Sequence, residues 1–345
     1  MKKIICRAPL RISYAGGGTD LEPFLSQHGG MVINSTINQF AYTTVEEWHS
    51  WLFNSVDIDE ETEFFTQPEE YTDNQSRLLV NTFIFLRKKY QLPKIPIKVT
   101  TTSDVSPGSG LGSSSAVTVS LIMAISNFFN IDIPKQEMSN FAFHIERTLC
   151  KFPGGKQDQF ASVFGGMRKY DFLKDKTVVN DLDISKSFLN TLNLNTILYD
   201  AGGSRPTANS IFHLDDNIID DNIKNLRITK KSKEQTLRLK ENCVLMAKAI
   251  ESGDLKKMAY IFNENWQIKK QISPTITTKF LDDVYTQAMA NGALGGKICG
   301  AGGGGHVIFL VEIDKRAGLI KKLNSMAGKV VPFSFNSKGA ETWSQ

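Results

Sequence analysis

The sequence predicts an α+β protein with two domains. Segments in which apolar and polar residues alternate, typical of strands, occur among longer segments whose apolar residues recur every three or four positions, typical of amphipathic helices. Helices and antiparallel-looking strands follow one another in mixed order in both halves, which favours the α+β class. With 345 residues, the chain is long enough for two domains.

In the first half, alternation predicts five strands: Lys3–Cys6, Ile12–Ala15, Met31–Ile37, Phe40–Val45 and Ile95–Ser103. Helical spacing predicts three helices: one over Ser76–Tyr90, one that begins near Ala116, and one that carries the apolar residues from Met138 to Leu149. The acidic segment Glu60–Tyr71 is expected to lie on the surface.

The segment Asp181–Asn193 is polar, so we place the domain boundary there, with domains at 1–185 and 186–345. The second half is predicted to begin with a strand at Leu194–Tyr199. Three helices should follow, over Lys230–Ser252, Leu255–Lys270 and Thr277–Met289. Two strands around a glycine-rich turn, a helix at Lys315–Met326 and a strand at Lys329–Phe335 complete the prediction.

Composition excludes several classes of function. The net charge is only +4, and Lys and Arg are scattered, so the chain has no basic arm for nucleic acid. The four cysteines lie far apart without a C-x-x-C pair, which argues against zinc and against a disulfide framework. No apolar run suits a signal peptide or a membrane span, so we expect a soluble cytoplasmic protein with no membrane partner.

The segment Val105–Ala116 carries the strongest chemical signal. Glycines at alternate positions follow a predicted strand, and three serines then lead into a helix. The free N–H groups and positive dipole end of such a helix bind phosphate. The loop lacks the Lys of a Walker A motif and the spacing of the dinucleotide fingerprint, so by itself it also suits an ordinary strand-to-helix turn.

A second glycine-rich segment lies near the start of the chain. Gly16, Gly17 and Gly18 allow a ligand to approach the backbone closely, and Thr19 and Asp20 offer a hydroxyl and a carboxylate for sugar hydroxyls. Taken alone, the glycines equally suit a hairpin turn, and Asp20 equally suits a helix N-cap.

Three further segments carry candidate groups. Gly300–Gly305 precedes an apolar strand and indicates backbone packed on a partner loop or ligand; His306 after it is expected to be structural. Asp158 is a candidate general base, and Glu146 a candidate magnesium ligand, although each also suits a solvated surface charge. Arg205, near Ser204 and Thr207, is a candidate for a second phosphate, although a surface Arg beside a turn is equally consistent.

Together these motifs resemble the GHMP kinases, which include galactokinase, homoserine kinase and mevalonate kinase. The resemblance covers nearly the whole chain: an Ala-Pro-x-Arg start at 8–11, a central P-x-x-G-L-G-S-S-x-A at 107–116, and the late glycine-rich motif. Within the family, 11–24 and 154–159 are most similar to the heptose 7-phosphate kinases. The resemblance implies an N-terminal domain similar to ribosomal protein S5 domain 2 and a ferredoxin-like C-terminal domain.

The resemblance also implies roles for particular residues. ATP phosphates would be bound by Pro107, Gly108, Ser109, Gly110, Leu111, Gly112, Ser113, Ser114 and Ser115. Asp158 and Arg11 would be catalytic, and Ser114 and Glu146 would hold Mg²⁺. Substrate would contact Gly17, Gly18, Thr19, Asp20 and Gly303. Galactokinase has Gly-Glu-His where this chain has 16–18, so its sugar contacts do not transfer.

The expected reaction is transfer of a phosphoryl group from ATP to the anomeric hydroxyl of D-glycero-α-D-manno-heptose 7-phosphate. Lys156 and Arg205 are the candidates for its remote phosphate, chosen for their chemistry rather than a motif. A kinase for an unphosphorylated sugar such as L-fucose or galactose, and a non-catalytic sugar or nucleotide sensor, remain alternatives. The oligomeric state, monomer or homodimer, is left open.

Overall fold

Two sheets organise the computed structural model, which describes residues 2–202, 230–273 and 276–345. Seven strands from the first half belong to the first sheet: β1 Lys3–Ala15, β2 Gly30–Glu47, β3 Trp51–Ser55, β4 Glu60–Phe64, β5 Ile97–Ser103, β6 Met167–Phe172 and β7 Thr177–Asp181. The second sheet has four strands: β8 Thr196–Asp200, β9 Ala293–Ile298, β10 His306–Val311 and β11 Lys329–Val331. The last strand, β12 Glu341–Ser344, returns to the first sheet beside β1.

The first sheet has the order β12-β1-β2-β5-β3-β4, with β6 and β7 continuing from β2. All of its pairs are antiparallel except β3 with β5. The prediction of two short strands within β1, and of two within β2, was wrong. Residues Ala8 to Ala15 of β1 are all buried, so the alternation that marks a half-exposed strand ends at Arg7. Register shifts between Pro9 and Arg11, and between Ser13 and Ala15, interrupt the pattern further.

Ten helices lie in the described part of the chain. They are α1 Phe24–His28, α2 Arg77–Tyr90, α3 Ser113–Phe128, α4 Lys135–His144, α5 Gln157–Phe164, α6 Lys186–Asn195, α7 Lys230–Glu251, α8 Leu255–Ile272, α9 Lys279–Ala290 and α10 Ile313–Asn324. The helix predicted to run to Leu149 is α-helical only as far as His144. The residues Ile145–Leu149 that follow form one π-helical turn. Such turns occur frequently at functional sites, and this one carries Glu146.

Two polar segments form regular elements that were not predicted. Helix α6 occupies the segment expected to connect the domains, and the Ser185 side chain accepts a hydrogen bond from the Phe188 N–H at its start. Strand β4 forms at the edge of the first sheet within the acidic segment, and its side chains are partly or fully exposed, as the surface position expected for that segment requires. Polar composition does not reveal either element, because an edge strand and a surface helix bury few side chains.

The second sheet has the order β11-β8-β10-β9, and its strands are antiparallel. One hydrophobic core extends across both sheets, since it contains Leu10 and Ile12 of β1 together with Phe262 of α8 and Cys299 after β9. All four cysteines are free and buried. Within the described ranges, no helix combines the length and apolarity that crossing a bilayer requires.

Candidate active site

The loop between β5 and α3 places a helix N-terminus at a cleft. Gly108, Gly110 and Gly112 have φ angles of 76°, 78° and 78°, in the left-handed region that favours glycine. Gly112 precedes α3 and has no side chain to cap it, so the first-turn N–H groups open toward the cleft, which Ser113 and Ser114 also line. This arrangement favours a bound anion.

The late glycine-rich turn packs directly on this loop. A Cβ on Gly300 would lie 2.8 Å from Cα of Gly110, and a Cβ on Gly305 would lie 2.5 Å from the carbonyl oxygen of Ser109. The backbone N–H of His306 donates to the same Ser109 oxygen at 3.0 Å, and its Nδ1 lies 2.9 Å from it. The glycines are therefore required by close backbone contact, and His306 has the structural role that was predicted.

Arg11 and Asp158 form an ion pair beside the loop between β5 and α3, which we call the phosphate-type loop. Arg11 Nε donates to Asp158 Oδ1 at 2.7 Å, and Arg11 Nη2 lies 2.6 Å from the same oxygen. Arg11 Nη1 donates to the carbonyl of Gly110 at 2.7 Å, while the Asp158 carboxylate carbon would lie 3.3 Å from a Cβ on Gly112. Arg11 is buried, whereas the Asp158 side chain remains 21% exposed and lines the cleft.

Glu146 is fully buried, so the alternative of a solvated surface charge is wrong for this residue. Its carboxylate accepts hydrogen bonds from Ser114 at 2.9 Å, Ser115 at 2.8 Å and Thr118 at 3.0 Å, and also from the Gln159 amide. The Arg147 guanidinium lies 3.4 Å away and balances its charge. The π-helical turn thus anchors the first turn of α3.

Asp20 is buried beside the first three glycines, and it does not cap α1 as the sequence allowed, because that helix begins only at Phe24. Its carboxylate accepts from the backbone N–H groups of Gly18 and Gln157 and from the Gln157 amide. Burial raises the pKa of Asp20, and the hydrogen bonds from Gln157 and Gly18 oppose that rise. Gly17, Gly18 and Asp20 all line the cleft.

Other predicted substrate residues are not brought to the cleft. Thr19 is buried, and its hydroxyl bonds to the backbone of Gly16 and Met31. The Lys156 ammonium lies 5.0 Å from the centroid of the Phe143 ring, and the Gly303 N–H donates to the carbonyl of Ile276. Arg205, with Ser204 and Thr207, lies outside the described residues.

The cleft is lined by residues from both halves of the chain and has a volume of about 330 Å³. It gathers the phosphate-type loop, the Arg11–Asp158 pair and Asp20, and the glycine turn at Gly300 forms part of its wall. Its lining also includes the apolar side chains of Ile58, Leu78, Leu79 and Val117, together with the polar Ser55 and Asp57. A helix N-terminus, an apolar recess and a carboxylate paired with an Arg suit transfer of a phosphoryl group from a nucleotide.

Comparison with known proteins identifies the family. Residues 77–166 match the family model described as GHMP kinases N terminal domain, and residues 246–327 match GHMP kinases C terminal. A D-glycero-alpha-D-manno-heptose 7-phosphate kinase from Campylobacter jejuni is 33% identical over 348 residues, which cover 99% of each protein. The chain belongs to the GHMP kinases.

Other GHMP kinases share the fold over the full length. A crystal structure described as a D-glycero-D-manno-heptose 1-phosphate kinase from Bacteroides thetaiotaomicron has a TM-score of 0.83 at 28% identity. The alignment covers 99% of this chain and 98% of that protein. Lactococcus lactis galactokinase complexed with galactose shares the fold at 16% identity, with a TM-score of 0.80. A Thermotoga maritima galactokinase is 26% identical over 88% of each protein. The predicted family and two-domain α+β fold are confirmed.

Membership of the GHMP kinases makes this chain an ATP-dependent phosphotransferase, and the residues implied for Mg²⁺ suit that ion. The Ser114 hydroxyl faces the cleft and lies 2.9 Å from a carboxylate oxygen of Glu146. Both are hard oxygen donors, and Mg²⁺ in kinases takes one or two carboxylates together with substrate phosphates. Among the residues that the structure describes, no group of three or more His, Cys, Asp and Glu is arranged to hold a metal.

Two lysines near the site of this GHMP kinase were not predicted as site residues from the sequence. Lys269 of α8 lines the cleft, and its ammonium donates to the carbonyl of Gly300 at 3.2 Å. Lys297 of β9 is buried, and its ammonium donates to the carbonyl of Ser13 at 2.6 Å. Both lie in segments that read as ordinary amphipathic helix or strand, so no local motif marks them. Tertiary packing of α8 and β9 near β1 brings both lysines close to Arg11.

Proposed function

We propose that this kinase transfers the γ-phosphoryl group of ATP to the anomeric hydroxyl of D-glycero-α-D-manno-heptose 7-phosphate, yielding the 1,7-bisphosphate. The full-length similarity to a heptose 7-phosphate kinase carries the choice of sugar. The Arg11–Asp158 pair beside the loop at Gly110 and Gly112 supports the choice of reaction. The product would enter the synthesis of GDP-heptose for surface polysaccharide.

The nucleotide end of the cleft is assigned to the loop and α3. The loop from Pro107 to Ser115 would bind the ATP phosphates through backbone N–H groups that follow Pro107, aided by the helix dipole. The apolar wall at Leu78, Leu79 and Val117 would receive the base. Bound this way, the γ-phosphoryl group would point toward Asp158, whose carboxylate lies next to Gly112.

The acceptor hydroxyl is assigned to Asp158. Phosphoryl transfer depends mostly on positioning and charge stabilisation, and an anomeric hydroxyl is more acidic than a simple alcohol. Asp158 would orient the hydroxyl and take its proton as the new bond forms. Arg11 holds Asp158 in place through Nε and would stabilise charge on the transferring group. Asp20, fixed by Gln157 and Gly18, would accept hydrogen bonds from the sugar hydroxyls.

Magnesium belongs to the nucleotide end of this scheme. Ser114 and Glu146 would hold Mg²⁺, which supplies charge neutralisation for the ATP phosphates when bound. The contribution of the chain itself is to fix Glu146 in place, since Ser115, Thr118 and Gln159 hold the carboxylate from the side of the protein interior.

A kinase for an unphosphorylated sugar is the second candidate, favoured by the galactokinases among its relatives. A non-catalytic sensor is a third, against which the Arg11–Asp158 pair and the Ser114–Glu146 contact both weigh, because a sensor does not require them. The three candidates differ in whether ADP is released and with which sugar.

A coupled ADP-release assay with Mg-ATP separates them. Heptose 7-phosphate is compared with free heptose, galactose and L-fucose at equal concentrations. We expect turnover with the 7-phosphate and little with the others. Turnover confined to a free sugar would replace the proposed substrate, and no turnover with any of the four would favour the sensor.

A further inference from the structure

The open face of Gly17 is surrounded by hydrogen-bond donors. A Cβ on Gly17 would lie 3.4 Å from the Ser13 hydroxyl, 3.6 Å from the Gln157 amide nitrogen and 3.7 Å from the Lys269 ammonium. All four residues line the cleft. A hydroxyl, an amide N–H and an ammonium converging on bare backbone form a small space lined by donors, and one of them carries a positive charge.

Lys269 differs from the other cations that line the cleft. Arg11 is paired with Asp158 at 2.6 Å, and Arg147 is paired with Glu146 at 3.4 Å. Within the described ranges, the Lys269 ammonium has no carboxylate within 4 Å, and it donates only to the Gly300 carbonyl at 3.2 Å. The Asp20 carboxylate acts on Lys269 from beyond ion-pair distance, so the ammonium lacks a directly contacting counter-charge of the kind that an anionic ligand supplies.

The position of Lys269 relates it to the acceptor rather than to the nucleotide. It approaches Gly17, and Gln157 joins this space to Asp20, because its amide lies 3.3 Å from one Asp20 carboxylate oxygen. Burial lowers the pKa of Lys269; Cys299 and the Asp20 carboxylate raise it, and the charge of Arg11 lowers it. A bound anion would act in the same direction as Asp20.

We propose that Lys269, with Ser13 and Gln157 around Gly17, binds the remote phosphate of the sugar phosphate substrate. This subsite rests on the proposed function and assigns a role that the sequence analysis gave to Lys156 and Arg205. The absence of a side chain at Gly17 leaves the space that the phosphate fills, the ammonium supplies its counter-charge, and the two neutral donors orient its oxygens.

The test compares steady-state kinetics with heptose 7-phosphate and with free heptose at saturating Mg-ATP. In the Lys269→Met variant, we expect kcat/KM for the 7-phosphate to fall about 10- to 100-fold, mostly through KM, as loss of a hydrogen bond to a charged group predicts. For free heptose the change should stay within about twofold, so the preference for the phosphorylated sugar collapses. Lys269→Arg, which keeps the positive charge, should retain part of the preference for the phosphorylated sugar. Lys256→Met, an exposed lysine on the same helix, is the matched control and should keep the preference.

A second variant tests the space itself. Gly17 can accept a methyl group without backbone conflict, because its nearest neighbours would lie 3.4 Å or more from the new Cβ. Gly17→Ala should therefore fold normally and raise KM for the 7-phosphate more than KM for free heptose. Calorimetric titration of each variant with heptose 7-phosphate in the absence of ATP provides a readout of binding that does not depend on turnover.

The outcomes separate the two proposals. If the wild-type enzyme uses the 7-phosphate and Lys269→Met weakens the use of both sugars equally, the subsite is wrong while the proposed function stands. If Lys269→Met keeps the wild-type preference for heptose 7-phosphate over free heptose, the subsite is likewise wrong while the proposed function stands. If the wild type uses free heptose but not the 7-phosphate, the proposed substrate fails and the subsite fails with it.

Discussion

The guanidinium of Arg11 contacts the carboxylate of Asp158 and the carbonyl of Gly110 at the same time, with distances of 2.6–2.7 Å. Arg11 lies on β1 at a register shift, whereas Asp158 lies in the first turn of α5, 147 positions along the chain. A single side chain thus fixes the position of the candidate base relative to the phosphate-type loop.

Asp158→Asn should remove the carboxylate that accepts the proton of the sugar hydroxyl, while leaving the shape of the site intact. We expect kcat to fall about 10²- to 10⁴-fold, the usual contribution of a positioned base. ATP binding should be retained, since Asp158 is assigned to the acceptor. Coupled ADP release gives kcat, and calorimetric titration with ATP gives affinity. Asp175→Asn, an exposed residue between β6 and β7, is the control. Near-normal turnover of Asp158→Asn would remove Asp158 from the role of base.

Glu146→Gln should weaken the use of magnesium. The substitution removes the negative charge assigned to Mg²⁺ and leaves Arg147 without its carboxylate. We expect the half-saturating Mg²⁺ concentration to rise at least about tenfold, and the free energy of unfolding to fall by about 1–3 kcal/mol. Glu137→Gln, on the preceding helix and partly exposed, should change neither quantity. If Mg²⁺ dependence is unaltered while only stability falls, Glu146 is structural.

Gly300→Ala should separate the glycine turn from the phosphate-type loop. The new Cβ would lie 2.8 Å from Cα of Gly110, and φ at Gly300 is 74°, so the backbone must shift. We expect a higher KM for ATP and a loss of about 1–3 kcal/mol in the free energy of unfolding. Gly318→Ala is the matched control: Gly318 is exposed on α10 with open space around it, and Ala should stabilise that helix by about 0.5–1 kcal/mol. An unchanged KM for ATP in Gly300→Ala would show that the contact does not shape the site.

Lys297 should make stability depend on pH. Burial, together with the charges of Lys269 and Arg11, lowers the pKa of Lys297 to about 7. Between about pH 7 and the ordinary lysine pKa, the unfolded chain binds a proton that the folded chain does not, so this residue makes stability rise with pH, by up to about 1.4 kcal/mol per unit. Buried thiols such as Cys6 and Cys243, whose pKa values burial raises, act in the opposite direction above about pH 8.5.

The difference between wild type and Lys297→Met isolates this contribution, because the thiols are common to both proteins. Urea unfolding at pH values from 6 to 9 should show Lys297→Met gaining relative stability at the acidic end and losing that advantage as pH rises. Lys321→Met, exposed on α10, should differ from wild type by a constant amount. A difference for Lys297→Met that does not vary with pH would mean that this lysine stays protonated in the folded protein.

The sequence predicted the elements whose side chains divide cleanly between core and solvent. Helices α2 and α8 began within a residue of their predicted starts, because apolar positions recur along one face. Strands β3, β6, β7 and β12 were not predicted, and each has six or fewer residues. Their stability comes from neighbours in the sheet, which a local pattern does not reveal.

The candidate site divides in the same way. Groups that need a special backbone, such as Gly110 and Gly300, leave a visible motif because only glycine tolerates those conformations and contacts. Lys269 and Lys297 leave none, since any amphipathic helix or strand contains lysines. Their burial is a property of how β1 meets α8 and β9, which is tertiary.

Strand β12 pairs with β1, so the first sheet is completed by a segment that is synthesised after all of its other strands. Until β12 has been synthesised, the outer backbone groups of β1 have no partner from this strand, although domains commonly fold as they emerge. An uncovered strand edge of this kind invites pairing with other chains. During translation, the nascent protein therefore passes through a stage at which its first sheet has the open edge that the finished molecule conceals.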